Sequence, residues 1–175
     1  MANDNLKSSV SSNAVFLRSD KDELGVEHIR YQQSVNGIPV ENAFYILHIQ
    51  AGKVLAENGR WIKDLPVNMS RSALIKEADA LRMALNTINA SVYKWQDKEE
   101  EAFIKTEAND PAATYYPKGK LVYYAADNET SNLRLAYKFD IYANNPVSRQ
   151  IIFVDAVNGE ILGKRELLHT TNATG

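Results

Sequence analysis

The clearest periodicity in the chain runs from Leu133 to Tyr142, where Leu133, Leu135, Tyr137, Phe139 and Ile141 alternate with Arg134, Ala136, Lys138, Asp140 and Tyr142. A period of two sets alternate side chains on opposite faces, so this run predicts a long strand with one face in a core. Leu121 to Ala125, Ile151 to Val154 and Glu160 to Leu162 are further strand candidates. Asn158-Gly159, between the last two, supplies residues that tolerate the positive φ of a tight hairpin. The N-terminal half repeats the theme. His28, Arg30 and Gln32 alternate with Ile29, Tyr31 and Gln33, Asn36-Gly37 turns the chain, and Ile38 begins the return. Pro39 has no N–H for a ladder, so the return is expected to start at an edge or a bulge. Ala43 to Gln50 reads as a further strand, apolar on both faces, and Ala51-Gly52-Lys53 turns it into Val54 to Glu57.

Between these regions the period changes. Leu74, Ala78, Leu81, Leu85 and Ile88 recur at helical spacing opposite Lys76, Asp79, Arg82 and Asn86, which predicts one long helix capped by Ser70 or Ser72 and ending near Asn89. The run Asp97 to Glu101 and then Asn109-Asp110-Pro111 break that pattern and predict a surface loop or a short frayed element. The Ser- and Asn-rich start predicts a loosely held leader, with order beginning near Val26. The expected fold class is α+β, antiparallel sheets packed with one long α-helix. The expected division is a flexible leader at 1–24, a small antiparallel sheet unit at 25–66, a helix with a second antiparallel sheet at 67–168, and an exposed tail at 169–175.

Composition narrows the function classes. A chain of 175 residues can bury roughly 70% of the surface that its unfolded form exposes. Its 45% hydrophobic and 24% charged content is that of a globular protein. A net charge of -2 and a pI near 5.9 leave no general basic surface for nucleic acid. There is no cysteine, hence no disulfide and no thiolate ligand. No apolar run reaches the ~20 residues that span a bilayer, and Met1-Ala2-Asn3-Asp4 lacks the basic-then-apolar pattern of a secretion signal.

The chain carries no His-Glu-x-x-His, no Gly-rich phosphate loop and no nucleophile elbow. Its three histidines, His28, His48 and His169, share no helix turn. Strands could still bring His28 and His48 together, although a strand histidine is more often a hydrogen-bonded packing residue than a ligand. Asp155, just before the Asn158-Gly159 turn, suits backbone N–H groups of that turn better than acid–base work. Gly37, Gly52 and Gly159 are explained by turn geometry, and Tyr31, Tyr137 and Phe139 by sheet packing. Arg30 and Gln32 either pair within the sheet or face a partner, and cross-strand pairing is the commoner use.

The stretch Glu27-His28-Ile29-Arg30-Tyr31-Gln32-Gln33-Ser34-Val35-Asn36-Gly37-Ile38-Pro39-Val40 resembles the fungalysin/thermolysin propeptide (FTP) motif. Leu135 to Asp140, followed by Ile152 to Ile161, resembles the end of a PepSY domain. The resemblance covers about Gly25 to Thr170. It implies FTP-like and PepSY-like (cystatin-like strand-helix-strand) units in the N-terminal propeptide of a secreted zinc metalloprotease. Such a region is non-catalytic, assists folding of the protease domain and inhibits it. The implied partner is a zinc metalloprotease catalytic domain in cis, which would hold the zinc, with calcium as a further candidate; this chain itself would hold no cofactor. The implied location is secreted, extracellular or periplasmic. Motif residues that could form an interface are His28, Arg30, Tyr31, Gln32, Gly37, Pro39, Val40, Asp155 and Gly159. The candidate inhibitory segment is Arg165, Glu166, Leu167, Leu168, His169 and Thr170, with cleavage expected between Thr170 and Gly175. A standalone PepSY-type inhibitor acting in trans, or a non-enzymatic binding or scaffold module, are the alternative readings.

Overall fold

Asn36 and Gly37 both take positive φ, 52° and 80°, the pair of left-handed residues that a two-residue hairpin turn requires. They join β2 (Glu27–Val35) to β3 (Ile38–Gln50). Ala51 and Gly52, at 49° and 75°, do the same between β3 and β4 (Lys53–Gly59). These strands belong to a computed structural model that describes residues 11–66, 68–126 and 132–168. The described residues form two compact units, one running through Arg71 and including Val122–Arg134, the other comprising Ser72–Leu121 and the residues from Leu135 onward.

In the first unit, β1 (Ser12–Lys21) pairs antiparallel with β2, β2 with β3 and β3 with β4. The expectation of a loose leader through residue 24 is therefore corrected over β1. An edge strand open on both faces needs no apolar alternation to announce it, and pairing with β2 satisfies its backbone. What read as two strands around Pro39 and Ala43 is one strand, β3, interrupted by a large irregularity: Gln32 pairs with Phe44 but Ser34 pairs with Pro39, so Val40 to Ala43 stand against Gln33 alone. Val40 is released there to pair in parallel with Tyr123 of β6 (Lys120–Tyr124). The buried residues of this unit, among them Val35, Val40, Ala43, Ile62, Val122 and Tyr123, gather at this end.

The second unit is built on β7 (Arg134–Asn145), β8 (Val147–Asp155) and β9 (Ile161–Glu166), antiparallel in that order, with the short β5 (Val92–Tyr93) on β7. Tyr137 lies opposite Val154 and Phe139 opposite Ile152, giving the cored face that the alternation implies. Ala136, Ile151 and Phe153 bury the other face as well.

The single long helix is corrected to two helices, α1 (Glu77–Ile88) and α2 (Lys98–Glu107). α1 starts after the serines proposed as caps, because Leu74 and Ile75 donate their N–H groups to Ala156 O at 2.8 and 3.1 Å and are held extended. Leu74 and Ala78 are accordingly exposed, and Ala80, Leu81 and Ala84 form the buried stripe. Asn89, at φ 53°, ends α1 through its N–H to Leu85 O. The acidic run, expected as a surface loop or a short frayed element, is the first turn of α2. Asp97 caps it, accepting from Glu99 N and Glu100 N at 2.9 and 3.4 Å, and Glu99, Glu100 and Glu101 sit where the helix dipole favours negative charge.

Candidate docking surface

Register sorts the side chains of the β1–β4 sheet onto two faces. Residues paired across strands share a face, so one face carries the rows Phe16–Tyr31–Tyr45, Ser19–Ile29–Leu47–Glu57 and Lys21–Glu27–Ile49–Val54, an apolar centre with charged flanks. None of these side chains is buried, and Phe16 and Val54 are each 57% exposed. Phe16 meets Tyr31 edge-on, ring centroids 6.2 Å apart. The described residues of this unit include no α-helix to cover them. Tyr45 is tied through its hydroxyl to Glu57, which raises its pKa above the ordinary value. An incompletely covered sheet face with an aromatic row, an apolar centre and a charged rim is the kind of surface that marks a protein contact.

The opposite face is mixed, with Val15, Phe44, Ile46 and Ala56 in the same rows as its charged and polar residues. Asp20 bridges Arg18 at 3.2 Å and Arg30 at 3.5 Å. His28 and His48 meet through their Nδ1 atoms at 2.7 Å. Gln32 turns its amide into the irregularity, donating to Val40 O at 2.5 Å and Ala43 O at 3.0 Å. Arg30 and Gln32 thus both make contacts inside the sheet, and the Nε of Arg30 is enclosed without a hydrogen-bond partner among the described residues. Gln33 is fully buried, and its amide acts as a ladder rung: Nε2 donates to Ile62 O at 2.7 Å while Oε1 accepts from Ile62 N at 2.9 Å. Nε2 also donates to Ser12 Oγ at 3.1 Å, so one side chain ties β1 and the segment after β4 to the sheet.

The remaining motif residues serve geometry. Gly37 occupies the hairpin turn, Pro39 is the second residue of β3 and lies opposite Ser34, and Val40 is buried. Asp155 is buried, and its Oδ1 accepts from Val157 N at 2.7 Å and Asn158 N at 2.9 Å. Only Gly159 takes positive φ in that loop, 81°, so the β8–β9 connection is a longer loop anchored by Asp155 and not a two-residue turn. A Cβ on Gly159 would run into Met83 Sδ.

Arg165 and Glu166 lie in β9, paired with Ile151 and Gln150, and Leu167 N donates to Arg149 O at 2.8 Å. The outer edge of β9 pairs with no other strand among the described residues. Leu167 and Leu168 are 40% and 38% exposed, while His169 and Thr170 lie outside the described residues. Sequence reading missed Phe16 and the rest of β1, as well as Asp22 and Asn58, which flank the histidine pair; nothing in their local composition marks them. The second unit has an open cavity of about 410 Å³, lined by Tyr115, Tyr116, Lys118, Tyr142 and others. Its Arg149 is already engaged by Asp140 through two hydrogen bonds of 3.0 and 2.8 Å. No described helix is long and apolar enough to cross a membrane.

Residues 13–60 match the family described as the Fungalysin/Thermolysin Propeptide Motif, a span that contains all of β1–β4 but Ser12. The chain is 29% identical to the bacillolysin of Bacillus amyloliquefaciens over 171 residues, 97% of this chain and 30% of that protein. It is 32% identical to a thermolysin of Alicyclobacillus acidocaldarius subsp. acidocaldarius over 144 residues, 82% of this chain and 23% of that protein. The chain therefore spans less than a third of the length of these relatives. Among solved structures, the Bacillus megaterium YpeB C-terminal domain aligns with 89% of this chain and 57% of that one, at 15% identity and a TM-score of 0.44.

Proposed function

The chain belongs with the propeptides of thermolysin-like metalloproteases, and on that premise we propose that it is the non-catalytic part of a zinc metalloprotease precursor, acting as intramolecular chaperone and inhibitor of the catalytic domain. The observation that carries this reading is the apolar sheet face within residues 13–60, because a propeptide needs a preformed surface on which a second domain can order itself. A surface that binds the folding transition state of the catalytic domain lowers a barrier that later protects the mature enzyme kinetically. Folding assistance and inhibition then share one interface.

Inhibition in the cleft falls to the stretch Arg165 to Thr170. The unpaired edge of β9 suits strand addition, in which main-chain hydrogen bonds supply affinity and alternate side chains fill specificity pockets. In this reading β1–β4 form the FTP-like unit, and α1 with β7–β9 forms the cystatin-like PepSY unit. The partner holds the zinc and any calcium, the precursor is secreted, and cleavage between Thr170 and Gly175 releases the enzyme. The purified chain is expected to inhibit bacillolysin or thermolysin saturably in a peptidase titration. A lack of inhibition of both at ~100 μM chain would defeat the reading and favour a scaffold module.

A further inference from the structure

Residues 110–119 of the second unit join α2 to β6 with no helix or strand of their own, yet their backbone is firmly held. Asp110 accepts from Ala112 N on its carboxylate at 2.8 Å and from Ala113 N on its carbonyl at 3.1 Å. Glu101 of α2 accepts from Thr114 Oγ1 at 3.0 Å and from Tyr115 N at 2.8 Å, and Thr114 Oγ1 in turn accepts from Tyr116 N at 3.0 Å. Glu77 of α1 accepts from Gly119 N at 2.7 Å. Two helices thus fix a strap that supplies most of the lining of the open cavity of about 410 Å³. β7 and β8 supply the rest, with Tyr142 meeting Tyr115 edge-on at 5.7 Å between ring centroids. The volume falls within the ~300–1,000 Å³ of ligand pockets, and a wall that is already ordered adds little entropy cost on binding.

The groups left over in this cavity are mostly donors. Three cations, Lys118, Lys120 and Arg149, line it against two carboxylates, Asp110 and Asp140. Both carboxylates are engaged, Asp110 by its own turn and Asp140 by the Nε and Nη2 of Arg149 at 3.0 and 2.8 Å. That fork leaves Arg149 Nη1 unused, and Lys118 and Lys120 have no ion pair or hydrogen bond among the described residues. The hydroxyls of Tyr115, Tyr116 and Tyr142 make no hydrogen bond there either. A fitting ligand therefore brings acceptors, some of them charged, and a flat or extended body to lie against aromatic rings.

We propose that this cavity binds an acidic peptide segment, whose carboxylates pair with Lys118, Lys120 and Arg149 Nη1 while its backbone lies against the three tyrosines. Its carbonyls accept from the phenolic hydroxyls. An inorganic anion would use the cations and leave the rings idle, and a chain of net charge -2 lacks the broad basic surface that nucleic acid requires. The site lies wholly within the second unit and does not rest on the function proposed above.

Amide chemical shifts of the nitrogen-15-labelled chain, titrated with the capped tetrapeptide acetyl-DEDE-amide, test this without any protease. Saturable shifts are expected at Tyr115, Tyr116 and Tyr142, with the neutral acetyl-NQNQ-amide binding at least ~10-fold more weakly. Lys118→Gln combined with Lys120→Gln should weaken the acidic peptide at least ~10-fold. Tyr116→Ala, which removes a ring and no charge, should weaken it about 3–10-fold. Equal affinity for the neutral peptide, unchanged affinity in either variant, or no saturation by ~10 mM acidic peptide overturns the proposal. Inorganic phosphate that shifts the same amides at equal concentration overturns it as well. Should the variants fail to fold, the wild-type chain decides: raising salt from ~50 to ~500 mM should weaken the acidic peptide several-fold, and an affinity indifferent to salt overturns the charge pairing.

Discussion

Replacing Gln33 by leucine removes the one side chain that pairs with both backbone groups of Ile62 and with Ser12 Oγ. The volumes are similar, so little of the expected loss comes from a cavity. It comes from Ile62, only 4% exposed, whose N–H and C=O would both be left without partners. An orphaned buried polar group costs about 1–3 kcal/mol, so the two together predict a loss of about 2–5 kcal/mol, a large part of the ~5–15 kcal/mol that stabilises a typical domain. Trp61, next to Ile62, supplies a fluorescence signal for urea unfolding. Gln33→Glu provides a second arm. A carboxylate retains the acceptor for Ile62 N–H but cannot donate to Ile62 O, so its deficit should shrink on acidification as the introduced acid becomes protonated and donates. A loss below about 0.5 kcal/mol in Gln33→Leu would mean that the amide rung is not what holds this segment.

Other perturbations separate strain, capping and charge. Gly159→Ala combines positive φ with a collision against Met83 Sδ, whereas Gly37→Ala has positive φ but nothing within 4 Å. Each should lose about 1 kcal/mol in thermal unfolding from its positive φ, with little more at Gly159 because the Met83 thioether is the movable end of its side chain; a loss above about 3 kcal/mol at Gly159 would mean that Met83 is held fast. Asp97→Ala removes the cap of α2 and should cost about 1 kcal/mol, seen as faster amide exchange at Glu99 and Glu100, the two N–H groups it accepts. Asp22 has a folded pKa below its ordinary 3.8, so its stabilisation is present above pH 3.8 and is lost as pH falls through the folded value. Asp22→Asn should therefore be less stable than wild type at pH 6, with a gap that narrows below pH 3.8; a gap that persists in strong acid would contradict the charge-based account.

Hairpin positions were legible because Asn36-Gly37 and Ala51-Gly52 demand local backbone geometry that few other residues supply. The β7 alternation was legible because one face lies in a core. β1 was not, since a strand paired on one edge and open on both faces has no hydrophobic period to display. α2 was hidden by its own start, where a capping aspartate and glutamates satisfying the helix dipole look like a solvated loop. The meeting of His28 and His48 was a possibility that the sequence raised but could not place, for a topological reason. An unbroken ladder from Asn36-Gly37 would set His28 opposite Tyr45. The irregularity that places Val40 to Ala43 against Gln33 brings His48 there instead, and its cause, Val40 pairing with the distant Tyr123, lies far along the chain.

The central claim is that the apolar face of the β1–β4 sheet binds a thermolysin-like catalytic domain. Phe16→Ser combined with Val54→Ser tests it most directly, because these are the most exposed members of that face and should alter folding least. With the double variant as stable as wild type by urea unfolding, the account predicts at least ~10-fold weaker inhibition in the same peptidase titration, as expected where two apolar anchors lose about 1.4 kcal/mol or more of contact. Undiminished inhibition by a folded double variant would contradict it and place the interface elsewhere on the chain.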